Sequence, residues 1–242
     1  MFALFLKELK GFFSSIIGYI VILVFLIVTG LVLWVFPGPI NILEQKYANI
    51  NGLFMIAPFV FLFLIPAITM RSFADEKRYG TFETLATKPI TATKIILGKY
   101  FAACFIVLLS LLPTLIYYLT VYILGSPVGN IDSGAVWGSY AGLLLLGMSF
   151  TAIGIFASSL TDNQIVSFII GALICFFLYV GFEFIYSMKI FGSASLFIKN
   201  LGMQAHFVSL SRGVIDSRDI IYYLSIIFIF LLFTKVSIER RK

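Results

Sequence analysis

Charged side chains in this chain are confined to short gaps between six runs that carry none, at residues 11–43, 47–70, 100–131, 133–161, 163–182 and 220–234. A helix needs about 20 apolar residues to cross a hydrocarbon layer about 30 Å thick, and a crossing segment must be helical because lipid cannot satisfy backbone N–H and C=O groups. Five runs meet that length. The sixth is shorter, but Val236 and Ile238 extend it and Lys235 can carry its ammonium to the interface. With 61% apolar and 12% charged residues, against about 45–50% and about 25% in soluble domains, a water-soluble fold is excluded. The expected fold is all-α and polytopic, a single transmembrane domain over 1–242. Its six spans are placed at about 16–36, 53–71, 98–124, 135–160, 163–183 and 219–237. An N-terminal interfacial helix precedes them, and a charged loop at 72–97 and a further segment at 184–218 connect them.

Lysine and arginine orient such a bundle, because positive residues stay on the cytoplasmic side. With both termini inside, 12 basic residues fall on the inner side and 5 on the outer. The formal charge of +6 is therefore an orientation signal, and nucleic-acid binding is a poor explanation of it. Near the N-terminus, Phe2, Phe5, Leu6, Leu9, Phe12, Phe13 and Ile16 recur at helical spacing while Lys7 and Lys10 share another face. That pattern suits a helix lying along the headgroups, or simply a polar collar on the first span. The run that follows is too long for a cleaved leader and is expected to stay attached as a signal anchor.

Cys104 and Cys175 both lie within spans and are expected to be reduced packing residues. His206, the only histidine, is read as a satisfied or solvated side chain, since no acidic cluster with metal-ligand spacing adjoins it in sequence. None of the six runs contains an Asp, Glu, Lys, Arg or His, which lowers the case for an ion-coupled carrier without removing Na⁺ sites built from backbone carbonyls. Pro66 and Pro113 interrupt spans two and three as hinges or packing adaptations. In span four, Gly134, Gly138 and Gly142 lie one turn apart, a stripe that admits close approach of another element, most simply within the same chain.

The charged segment between spans two and three reads Asp75-Glu76-Lys77-Arg78-Tyr79-Gly80-Thr81-Phe82-Glu83-Thr84-Leu85 and then Lys88-Pro89. Span two is expected to run out as a helix through Arg78 and to stop at Gly80. Thr81 can cap a new helix with Glu83 in its first turn, and Pro89 ends it. Phe82 and Leu85 then share one apolar face on a short helix tethered at both ends to spans. This is either a lever for a docked partner or an ordinary solvated loop.

These residues, with Ile95-Ile96-Leu97-Gly98-Lys99-Tyr100, with Lys7-Glu8-Leu9 before span one, and with the stretch from Phe207 through Arg212 to Asp216 before span six, resemble the permeases of ABC-2 type transporters. The resemblance is strongest to the gliding-motility-associated permease of Bacteroidetes-type bacteria. It implies a coupling helix at 81–87 seated on an ATPase subunit, with Glu76, Arg78 and Glu83 as polar anchors, and Arg212 and Asp216 fixing the start of span six. It also implies a bacterial inner-membrane location, a second permease copy as homodimer or heterodimer, and export by alternating access. Where family members often carry an acidic residue after the proline, this chain has Thr91-Ala92-Thr93-Lys94.

A phosphate-binding GxxxxGK[ST] loop is absent from the sequence. ATP and Mg²⁺ are accordingly expected on separate ATPase subunits, with no cofactor held by this chain. Two other classes stay open: a non-transporting scaffold of an envelope or motility complex, and an ion-driven carrier or channel.

Overall fold

The computed structural model describes residues 2–81, 91–188, 195–214 and 216–240. Among them every regular element is helical, and six helices are long and apolar enough to cross a membrane. The protein is an all-α polytopic membrane protein. Helix α1 (Phe2–Ser14) precedes span one, which is α2 (Ile16–Gly30) with a π-helical end (Leu31–Val35). Span two is α3 (Asn51–Thr69), continued by α4 (Arg71–Arg78). Span three is α5 (Ala92–Leu111) and α6 (Leu115–Leu124), joined by a 3₁₀ turn (Leu112–Thr114). Span four is α7 (Ser133–Leu160). Span five is α8 (Gln164–Phe176), a π-helical turn (Phe177–Gly181) and α9 (Phe182–Ser187). Two short helices, α10 (Ser195–Asn200) and α11 (Met203–Leu210), lead into span six, α12 (Ser217–Glu239).

Helix α7 is the hub, packing against α3, α4, α5, α8, α11 and α12. Its Leu143, Leu146, Phe150 and Ile153 are wholly buried. Lipid tails are as apolar as leucine, so helices here associate by close packing rather than by escape from water. Small residues supply that closeness. A Cβ on Gly154 would overlap the Thr69 hydroxyl of α3, and one on Gly147 would lie 2.7 Å from Val107 of α5. A Cβ on Gly171 of α8 would stand 3.5 Å from Pro66 and 3.7 Å from the Gly154 Cα. Spans two, four and five therefore meet nearly backbone to backbone.

The glycine stripe at the other end of α7 does pack within the chain, but against a short helix rather than a span. A Cβ on Gly138 would sit 2.5 Å from the Leu210 carbonyl oxygen, and one on Gly142 3.2 Å from the Leu210 Cβ. Gly134 has room for a methyl group, whose nearest neighbour would be Asp132 at 3.4 Å. Pro113 breaks span three where expected, at the 3₁₀ turn. Pro66 does not end its helix: α3 stays helical through Pro58 and Pro66, because Met70 N donates to the Pro66 carbonyl at 2.9 Å and the ladder resumes. Span three also begins earlier than position 98. The helix starts at Ala92, where Lys94 N and Ile95 N donate to the Thr91 carbonyl.

Helix α1 folds back on the bundle, with Leu9, Phe12 and Phe13 against a buried cluster of Val21, Ile68, Ala103 and Ile106. Leu4 lies over Gly98, where a Cβ would approach it to 3.1 Å. Both termini thus share one end of the bundle with α4, and α10 and α11 lie at the opposite end.

Candidate coupling site

Helix α4 extends span two beyond a break at Met70, and a side chain of span four makes the break. Ser158 is wholly buried. Its hydroxyl accepts from Phe73 N at 2.9 Å and Ala74 N at 3.1 Å, and donates to the Met70 carbonyl at 2.9 Å. In an uninterrupted helix Ala74 N would bond Met70 O directly. The hydroxyl replaces that backbone bond, an insertion of the kind that lets a helix kink.

Four of the charged side chains of α4, all but the exposed Arg78, then reach neighbouring helices. Arg71 Nε donates to Gln164 Oε1 at 3.1 Å, and Gln164 Nε2 donates to Asp75. The Lys77 ammonium donates to the Ser159 carbonyl at the end of span four. Ser237 of span six donates to the same oxygen at 3.0 Å. The α7–α8 corner and the end of α12 are therefore tied to one short helix.

Lys99 supplies the third tie. It lies two turns inside α5 and is 4% exposed. Its ammonium sits 2.7 Å from Glu76 Oε1 on α4 and 3.0 Å from Glu8 Oε1 on α1, and 5.1 Å from the centre of the Phe73 ring. A buried ammonium is tolerable only with partners of this kind. The two carboxylates outnumber it, and Glu76 Oε2 is buried without a hydrogen-bond partner among the described residues. A cleft of about 330 Å³ between α1, α4 and α5 adjoins the three charges.

Beyond these ties α4 ends as its sequence suggests. Tyr79 N donates to the Asp75 carbonyl and Gly80 N to the Lys77 carbonyl, with Gly80 at φ +67, a left-handed conformation that glycine adopts without strain. Arg78, Tyr79, Gly80 and Thr81 are exposed. The Thr81 hydroxyl turns back to the Glu76 carbonyl at 3.3 Å. Phe82, Glu83, Leu85 and Pro89 lie outside the described residues.

Of the expected anchors, then, Glu76 faces the interior and Arg78 the surroundings. At the opposite end, Asp216 caps span six, its carboxylate accepting from Arg218 N at 2.9 Å. Arg212 is exposed and lines a cleft with Glu183 and Lys199. Ser158, Gln164 and Lys99 carry no sequence signal for these roles.

The model of the ABC-2 family transporter proteins matches residues 9–182. The chain belongs to that family. Comparison with curated proteins returns no match. The matched stretch runs from α1 to the start of α9, so it takes in α4, Lys99 and Ser158, and stops short of α10 and α11. An ABC-2 family protein is a membrane subunit of a transporter that works with ATPase subunits. The polar ties around α4 are thus features of an ABC-2 permease at the end of the bundle that carries its termini.

Proposed function

We propose that this ABC-2 permease exports its substrate by alternating access, driven by ATPase subunits that bear on residues 81–87 from the cytoplasm. The single observation that carries this reading is the set of ties on α4. A displacement arriving at Tyr79 to Thr81 meets a helix joined to α1 and α5 through Lys99, to α7 through Ser158 and Ser159, and to α8 through Gln164. Such a helix cannot move alone, so a push on its tip is distributed over four neighbours. Both termini are then cytoplasmic, in agreement with the lysine and arginine distribution. Two permease copies complete the twelve-span core. Phe82 and Leu85 are the apolar contacts of the coupling helix, and Arg78 and Glu83 its polar ones. A role in gliding motility rests on the resemblance of the loop sequence.

The test uses tagged chain co-purified with its ATPase subunit and reconstituted in vesicles. Glu83→Ala and Phe82→Ala/Leu85→Ala should leave membrane insertion intact while abolishing the stimulation of ATP hydrolysis by the permease. Stimulation that survives in both variants refutes the assignment.

A further inference from the structure

The two ring nitrogens of His206, on α11, both meet acceptors. Nδ1 lies 2.6 Å from Asp219 Oδ1 on α12, and Nε2 lies 2.8 Å from the backbone carbonyl oxygen of Asn200 at the end of α10. A carbonyl has no hydrogen to give, an ionised carboxylate has none, and a neutral imidazole carries only one. Two hydrogen bonds to two acceptors therefore require a second proton. It resides on the ring as imidazolium, or on Asp219 facing a bare Nδ1. The count is the same in either case, one proton more than a neutral histidine beside an ionised aspartate.

The surroundings favour the imidazolium. Asp219 sits in the first turn of α12, where the helix dipole favours a negative charge. Its side chain is 7% exposed, and its second oxygen, Oδ2, is buried without a partner among the described residues. A carboxylate in that position calls for a neighbouring cation. The histidine ring also stacks on Tyr222, with centroids 3.8 Å apart and planes inclined by 19°. Such a face suits a cation. The other titratable groups on elements packed against α11 are occupied or distant in role. Tyr222 donates to the Leu201 carbonyl, Tyr223 to the Met203 carbonyl, and Lys199 of α10 faces Glu183 at 3.4 Å. Tyr179 and Tyr140 are buried in spans five and four, and Tyr140 bonds Thr114.

We propose that His206, Asp219 and the Asn200 carbonyl form a proton-binding site that fastens α10 and α11 to the start of span six. Asp219, Tyr222 and Tyr223 of α12 grip this segment at three successive points, and the bound proton completes the grip. Loss of the proton leaves one N–H for two acceptors, so a lone pair faces either the Asn200 carbonyl or the carboxylate. One contact becomes repulsive and the segment loosens. Because the fastened state holds the extra proton, it is favoured at low pH and weakened as pH rises. The site lies outside the stretch shared with the family model, at the end of the bundle opposite α4.

The chain holds a single histidine, so its ring can be followed without assignment. In full-length protein labelled with ¹⁵N-histidine in phosphatidylcholine nanodiscs, both ring nitrogens should be protonated at about pH 5.5, and Asp219→Asn should lower the proton affinity about tenfold. Hydrogen exchange over 195–210, corrected for its intrinsic pH dependence, should quicken between about pH 5.5 and 8.5 in the natural protein and lose that dependence in His206→Gln. A ring with one bare nitrogen at the lower pH and a neutral aspartate overturns the imidazolium assignment. Exchange that does not change with pH in the natural protein overturns the fastening itself. If Asp219→Asn fails to fold, the titration of the natural protein and the His206→Gln exchange still decide.

Discussion

The ammonium of Lys99 lies 2.7 Å from Glu76 Oε1, joining span three to the helix that continues span two. The same nitrogen holds Glu8 of α1 at 3.0 Å. Three segments far apart in the chain thereby share one buried cation. In an ABC-2 permease this places a charged pin where α4 leaves the bundle.

Removing the cation should be worse than removing a carboxylate. Lys99→Met leaves two carboxylates facing each other without their partner, and breaking a buried pair in this way costs about 3–5 kcal/mol. Glu76→Gln keeps a neutral acceptor for the ammonium and leaves Glu8 in place, so the loss should be smaller. Thermal unfolding of the purified protein in detergent ranks the two. An equal loss contradicts a cation shared between both acids.

Ser158→Ala removes a hydroxyl that makes three hydrogen bonds across the Met70 break. At about 1 kcal/mol net each, the gross loss is about 3 kcal/mol, offset where Ala74 N regains the Met70 carbonyl. The ladder should then close at Met70 and α4 shift away from α7. A spin-label pair at Tyr79 and Asp162 measures that distance, which should lengthen in the variant and stay fixed if Ser158 does not set the position of α4.

Two glycines of one helix should answer differently to the same change. Gly154→Ala drives a methyl into the Thr69 hydroxyl of α3, and overpacking of this kind costs about 1–3 kcal/mol or more. Gly134→Ala meets only Asp132 at 3.4 Å and gains about 1 kcal/mol of helix propensity. Melting temperatures should fall for the first and hold or rise for the second.

Asp216→Ala deletes the side-chain cap of span six, which accepts from Arg218 N. Loss of such a cap costs about 1 kcal/mol. Hydrogen exchange should rise at residues 217–220 and leave the middle of α12 unchanged. Asp216→Asn retains an acceptor and should restore protection.

The break at Gly80 and the interruption at Pro113 were legible because each follows from one residue's backbone chemistry. Pro66 carries the same chemistry, yet its helix continues. The interruption near it falls at Met70, where a side chain from span four enters the ladder, and nothing in the span-two sequence announces it. Lys99 stands in the sequence between a basic segment and the apolar run of span three. Its burial depends on Glu8, 91 residues away. His206 reads in the sequence as satisfied or solvated; the structure gives it partners, a carboxylate that belongs to span six and a backbone oxygen.

Hydropathy by itself determined that this chain belongs in a bilayer as helices, six of them long and apolar enough to cross among the described residues, because lipid leaves the backbone no other way to satisfy its hydrogen bonds. The spacing of glycines announced close approach without naming the neighbour. Tertiary structure decided which helices meet, which serine enters the ladder of span two, and which two acids hold the buried lysine. Those choices depend on contacts between residues tens of positions apart, and such contacts exist only once the helices have packed.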